Sequence, residues 1–239
     1  VRLNISGAGG ATIGLGTGNP HLVVSSVSGV GYVITDVPCF AAGTQILATT
    51  GEIAVEDIHQ GDVLVTALHG ERGTSRVVWT GQRSIDIARN PRPETVLPVR
   101  ITAHAFADGV PKRDLRLSPH HAVYIDGHFF QAIDLVNGRT IFQEISTKSV
   151  IYYHIELTAH NVILAENLPS ESFMDYDNRF MFEDPFAPIP LTLLPAFGPK
   201  GDAGLCAPLI REGADLDAAR EKLNARADEL AALEPARSA

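Results

Sequence analysis

The chain has 239 residues, 45% of them hydrophobic and 20% charged, and a net charge of −9. That is enough apolar sequence for a sizeable core in one β-rich domain with extensions. The acidic balance argues against nucleic acid or an anionic membrane surface as a partner, because both need clustered Lys and Arg. No apolar run approaches the ~18–20 residues of a membrane span, so no membrane span is expected. The first residues lack a basic stretch followed by an apolar one, so no Sec-type signal is visible. The chain begins with Val1, which fits a fragment or a mature form. Localisation stays open, with extracellular delivery by a non-Sec route as one reading. Cys39 and Cys206 are too few and too far apart for a disulfide framework.

Residues 1–36 form a Gly-rich upstream segment. Eight of the 21 glycines and a single charged residue, Arg2, fall within the first 35 positions. Residues 22–27 and 32–35 read as strands there. Residues 37–182 then carry many short apolar runs separated by turn signals. Strands are expected at 44–49, 52–55, 63–66, 75–80, 95–104, 114–118, 121–125, 139–143, 149–157 and 161–165. Residues 183–213 hold six of the 15 prolines and read as a linker or a surface wrap. Residues 214–235 read as an amphipathic helix. Leu216, Leu223 and Leu230 recur every seven residues with Ala219 and Ala227 between them, a stripe suited to packing on the domain or to a short coiled coil. The fold class is therefore all-β, many short strands with a C-terminal helix.

Cys39 opens the strand-rich region, in Val37-Pro38-Cys39-Phe40-Ala41-Ala42-Gly43-Thr44. A cysteine there can attack the carbonyl on its own N-terminal side and turn the Pro38–Cys39 amide into a thioester. Such chemistry needs a proton for the departing nitrogen and a partner for the developing charge. Histidine suits the proton work, since its ordinary pKa of about 6.5 lies near physiological pH. One candidate group is Leu117-Ser118-Pro119-His120-His121, where the Pro119 bend lets Ser118 and His121 point at one spot. A second is Tyr152-Tyr153-His154-Ile155-Glu156-Leu157-Thr158-Ala159-His160, with His154 and Glu156 on one strand face and His160 at the next turn. A competing reading makes His120, His128 and His154 metal ligands, although their spacing fits no standard zinc signature.

Four blocks in order resemble the Hint (Hedgehog/intein) domain family, of the bacterial stand-alone kind, over about residues 37–180. They are Cys39-Phe40-Ala41-Ala42-Gly43-Thr44; Ile53-Ala54-Val55-Glu56-Asp57-Ile58 running on to Gly61-Asp62-Val63-Leu64; Leu117-Ser118-Pro119-His120-His121; and Leu157-Thr158-Ala159-His160-Asn161-Val162-Ile163-Leu164. The resemblance implies a β horseshoe with Cys39 in its cleft. It implies that His121 polarises the Pro38–Cys39 amide and protonates its nitrogen, and that Ser118, in the family's Thr place, holds that amide. His154 stands where the family often has Asp after a Tyr and takes an acid/base role. His160 completes the candidate set. No cofactor is implied. The substrate is the chain's own upstream segment, acted on in cis, and water or another small nucleophile resolves the thioester.

Two departures narrow this expectation. Inteins end in His-Asn before Cys, Ser or Thr, whereas the matching stretch here reads Leu168-Pro169-Ser170-Glu171-Ser172-Phe173, so full splicing is not expected. Sterol-attaching Hedgehog domains carry an Asp in the strand that here reads Val77-Val78-Trp79-Thr80-Gly81-Gln82, with Gly81 as its counterpart. The alternative to self-cleavage is a Hint fold that does not cut and serves as a structural or adhesive module of a secreted protein.

Overall fold

The computed structural model describes residues 38–175, 179, 182 and 204–233, and the backbone of four short strands nearer the N-terminus. Those four form two antiparallel pairs: β1 (Arg2–Asn4) with β2 (Thr12–Gly14), and β3 (Val24–Val27) with β4 (Gly31–Ile34). Residues 183–203, in the stretch expected to be a linker, lie outside the described residues.

From Cys39 onward the chain is built on short strands: β5 (Phe40–Ala41), β6 (Gln45–Ala48), β7 (Gly51–Ala54), β8 (Val63–Leu68), β9 (Glu71–Asp86), β10 (Val99–Ile101) and β11 (Leu115–Leu117). They are followed by β12 (Ala122–Ile125), β13 (His128–Gln131), β14 (Ile141–Gln143), β15 (Ser149–Leu157), β16 (Val162–Ala165), β17 (Leu168–Glu171) and β18 (Leu209–Ile210). A helix, α1 (Ala214–Leu233), closes the described part. The strands hydrogen-bond into one continuous open sheet in the order β14-β10-β11-β5-β15-β9-β8-β6-β16-β17-β12-β13-β18, with β7 on β6.

The 16-residue β9 makes this continuity possible. Its first part pairs with β8 from Glu71 to Arg76, and the rest pairs with β15 from Val77 to Asp86. One strand therefore passes from one half of the sheet to the other, and the two halves curl around a shared apolar core. Ile46, Leu64, Val77, Val99, Leu117, Ile141, Ile155 and Ile163 meet there, each at most 1% exposed.

Three hairpins share one turn chemistry. His69-Gly70 joins β8 to β9, Asp126-Gly127 joins β12 to β13, and Glu166-Asn167 joins β16 to β17, and both residues of each pair have positive φ. Two-residue loops of this kind match the right-handed twist of the flanking strands. A glutamate is an unusual occupant. Glu166 is held by its side chain, whose Oε1 accepts the Gln45 N–H at 2.7 Å and whose Oε2 pairs with Arg113 at 2.7 Å.

Several expected strands change extent. The run expected at 75–80 grows to Glu71–Asp86, and the run expected at 95–104 shrinks to Val99–Ile101 behind a 3₁₀ turn at Pro93–Thr95 and Pro98. β13 and β17 are additional. α1 packs on the domain itself: Leu216, Ala219 and Leu223 join the main core. Just before it, β18 adds in parallel to β13, so residues 204–233 are bound to the sheet edge.

Candidate active site

Cys39 lies at the head of β5, which is wedged between β11 and β15. The register pairs Phe40 with Leu117 on one side and with Tyr153 on the other. This puts Cys39 beside Ser118 and beside His154. The Cys39 N–H donates to Ser118 Oγ at 2.9 Å, and the Ser118 N–H donates back to the Cys39 carbonyl at 3.0 Å. The nitrogen of the Pro38–Cys39 amide is therefore held by the serine. On the other side, Cys39 Sγ is 3.0 Å from His154 Nε2. With that nitrogen unprotonated, the thiol donates to it.

The site is dry. Cys39 is 7% exposed, Ser118 5%, and His121 and His154 1% each. Burial pushes the Cys39 thiol far above its ordinary value near 9, and the Ser118 hydrogen bond and the positive charge of Arg83 pull it part of the way back. Burial likewise lowers His154 to about 3, helped by repulsion from His121 and Arg83, while the Pro38 carbonyl favours the charged ring. A protonated thiol and a neutral imidazole therefore face each other at neutral pH.

His121 follows the bend at Pro119. Its N–H donates to the Ser118 carbonyl at 3.1 Å, and its own carbonyl accepts the Ala132 N–H at 2.9 Å. The ring packs edge-on against Phe40 at 4.3 Å between centroids. The bend lets Ser118 and His121 face the same buried region, which a straight strand forbids for residues three apart.

His160 sits apart from this group. Its Nδ1 accepts the Cys206 N–H at 3.1 Å, its ring meets Phe129, and its Nε2 lies 3.7 Å from Glu171. Glu171 in turn accepts the Ala122 N–H at 2.5 Å, one residue past His121. His160 is thus linked to the chain just past His121 through Glu171. The metal reading does not gather its ligands: His154 is on Cys39, His120 bonds Gln131 at 3.2 Å, and His128 packs on Phe130. Among the described residues no three His, Cys, Asp or Glu side chains come together to hold a metal ion.

Two parts of the site carry no signal in the sequence, an aromatic cover and Arg83. Trp79, Phe173 and Phe182 form an aromatic cover, with Phe182 4.2 Å and Phe173 5.3 Å from the His154 ring. Arg179 fastens it, donating to both Glu156 carboxylate oxygens at 2.6–2.9 Å and lying 5.4 Å from the centre of the Trp79 ring. Gly81 pairs with His154 across the sheet, and its missing side chain leaves room for Trp79. A Cβ there would lie 2.2 Å from Trp79 Cη2. Arg83 is on the same strand face, two residues on from Gly81. The aromatic spacing in the sequence reads equally well as ordinary core, so it gave no separate signal.

The Hint domain model matches residues 38–177, which is more than half of the chain. The chain is similar to a bacterial intein-like domain from Clostridium thermocellum at 20% identity and a TM-score of 0.42, covering 56% of this chain and 97% of that one. It is also similar to a DnaB intein from Synechocystis sp. PCC 6803 at 10% identity and a TM-score of 0.40, covering 57% of this chain and 99% of that one. A comparison with curated proteins finds no match. Domains of the matched kind act in cis on their own chain, by splicing or cleaving it. By its match over residues 38–177, this chain belongs to the Hint domain family.

Proposed function

We propose that this domain cleaves its own chain between Pro38 and Cys39 through an N-to-S acyl shift. The observation that carries the proposal is the double contact at Cys39: Sγ 3.0 Å from His154 Nε2, and the amide N–H 2.9 Å from Ser118 Oγ. His154 takes the thiol proton as Sγ attacks the Pro38 carbonyl carbon. The C–N bond then breaks, and the Cys39 nitrogen leaves as an amine after receiving a proton, with His121 as donor and Ser118 holding the nitrogen in place. The product is a thioester joining residues 1–38 to the Cys39 side chain. Water or another small nucleophile resolves it and leaves a free N-terminal cysteine.

Burial keeps the His154 ring uncharged, so Nε2 is an acceptor for the thiol proton, and the same burial makes it a weak base, which slows the transfer. Splicing is not proposed. The stretch in the place of an intein terminus, Leu168-Pro169-Ser170-Glu171-Ser172-Phe173, holds no Asn. Phe173 has no side-chain amide to cyclise, and its ring packs on His154. Sterol activation by an acid at position 81 is not proposed either, since Trp79 fills that space.

A second reading has one observation in its favour. The thiol is pushed up by burial and lies in the same apolar cluster as Phe173, Phe182 and Trp79, which suits a resting, uncut domain. In that reading the fold is a structural module. Mass spectrometry of the purified full chain, with and without hydroxylamine, decides between the two. Hydroxylamine-dependent release of residues 1–38 supports self-cleavage, and an intact mass under both conditions supports the structural module.

A further inference from the structure

The acyl shift places negative charge on Cys39 Sγ as its proton leaves. Burial makes that charge costly unless a cation lies within range. The groups around Cys39 come from four elements. Ser118 and His121 come from the bend after β11, His154 and Tyr152 from β15, Glu171 from β17, and Arg83 from β9. Ser118 and Tyr152 are neutral. His154 is held uncharged, and it gains its proton only as the thiol loses one; His121, whose positive charge repels His154, gives that charge up with the proton it passes to the departing nitrogen. Glu171 is acidic and disfavours a second negative charge nearby. Arg83 has the sign the step requires, and an arginine keeps its charge across the whole working pH range.

The strand register brings Arg83 to this face. Tyr152 pairs with Ala41 on one side and with Arg83 on the other, and His154 pairs with Gly81. Paired residues and residues two apart share a face. Arg83 therefore stands on the same face as His154, one pair along from it. Trp79, Ile85, Val150 and Tyr152 share that face, and they belong to the apolar cluster that also holds Cys39. A surface arginine needs no such setting. The interaction is mutual: burial raises the Cys39 thiol and the Arg83 charge works against that rise, while burial lowers the Arg83 guanidinium and the Cys39 thiolate works against that fall.

We propose that Arg83 offsets the negative charge that develops on Cys39 Sγ and so governs the rate of the acyl shift. Arg83 exchanges no proton and forms no bond in the step. It acts through charge alone. This assignment rests on the self-cleavage reading, and its test is chosen so that the two can fail separately.

The test uses the full chain with Arg83→Gln and Arg83→Lys, each also carrying Cys206→Ser so that one thiol remains. The first readout is the rate of release of residues 1–38. A unit charge two strands across the sheet in a buried site is worth roughly 10- to 50-fold in rate. Arg83→Gln should lose that factor and Arg83→Lys should keep most of it. The second readout is the ratio of Cys39 alkylation rates with iodoacetate and iodoacetamide at one pH. That ratio reports local positive charge and cancels changes in thiol accessibility. It should fall several-fold in Arg83→Gln and stay near wild type in Arg83→Lys. Should Arg83→Gln fail to fold, Arg83→Lys against wild type carries the ratio measurement, with Arg83→Met as the neutral variant. An unchanged ratio in the neutral variant overturns the proposal, as does an equal loss of rate and ratio in Arg83→Lys. A wild-type chain that never cleaves, but whose ratio depends on Arg83, sinks the self-cleavage reading while leaving the charge assignment standing.

Discussion

Replacing His154 with leucine should change how the stability of the domain depends on acid. His154 is 1% exposed, and burial, then His121 and Arg83, lower it to about 3 from an ordinary 6.5. In the unfolded chain the same ring takes a proton below pH 6.5. Between pH 6.5 and 3 the unfolded state therefore binds more protons than the folded one, so the contribution is fully present above pH 6.5 and is lost as pH falls. From pH 7.5 to 5.0 the loss from this one group is about 2 kcal/mol. Glu52 and Glu144 are held below their ordinary 4.5 by their arginine and lysine partners, so stopping at pH 5.0 keeps most of their effect out of the comparison. Urea unfolding of Cys39→Ala, with and without His154→Leu, reads the difference without interference from cleavage. With a slope of about 2 kcal/mol per molar urea, the midpoint of the His154 protein should drop by about 1 M more than that of the leucine variant. Equal drops in both would refute the assignment of a neutral, buried His154.

Cys39 acts at the other end of the pH scale. Its thiol is raised above 9, so its contribution is present below that pH and is lost as pH rises past it; Cys39→Ala should flatten the alkaline limb of a stability–pH curve. His121→Ala should slow thioester formation by about 10²–10⁴-fold, and more than His120→Ala or His128→Ala do. If His120→Ala is the more damaging change under quenched-time-course mass spectrometry, the roles of the two neighbouring histidines are reversed. Phe182→Ala removes a cover residue that is 7% exposed, and should cost about 3 kcal/mol in thermal or urea unfolding while raising the ratio of hydrolysis to thiolysis at Cys39. Gly81→Asp should destabilise the domain, because Trp79 must leave its place; unchanged tryptophan fluorescence and stability in that variant would contradict the packing described.

The strand-rich fold was readable because short runs such as residues 63–66 and 149–157 alternate or stay apolar between clear turn residues. The four ordered blocks around Cys39, Ser118–His121 and His154–His160 carried the family. What stayed hidden depends on contacts distant in sequence. β17 follows a Glu166-Asn167 turn, which local chemistry disfavours and which is held by Gln45 and Arg113, 121 and 53 positions away. β13 follows Asp126-Gly127, a two-residue hairpin signal that was present in the sequence and passed over. β9 looked like a six-residue strand because its outer residues are polar and exposed, and its length shows only once β8 and β15 both pair with it. Cys39, Ser118 and His121 were legible as a group. His160 was grouped with them because it follows His154 closely, yet the turn after β15 carries it to Cys206 and Glu171. Arg83 and the aromatic cover were not legible, because an alternating strand with an arginine or a tryptophan reads as ordinary surface and core.

The most direct test of the account is the mass of the purified full chain before and after hydroxylamine or dithiothreitol, beside Cys39→Ala. Self-cleavage predicts that wild type gives residues 1–38 and 39–239 as separate species, that an added thiol or hydroxylamine speeds their separation, and that Cys39→Ala stays whole. A wild-type chain that keeps its full mass through the same treatment, or a Cys39→Ala chain that yields the same fragments, would contradict it.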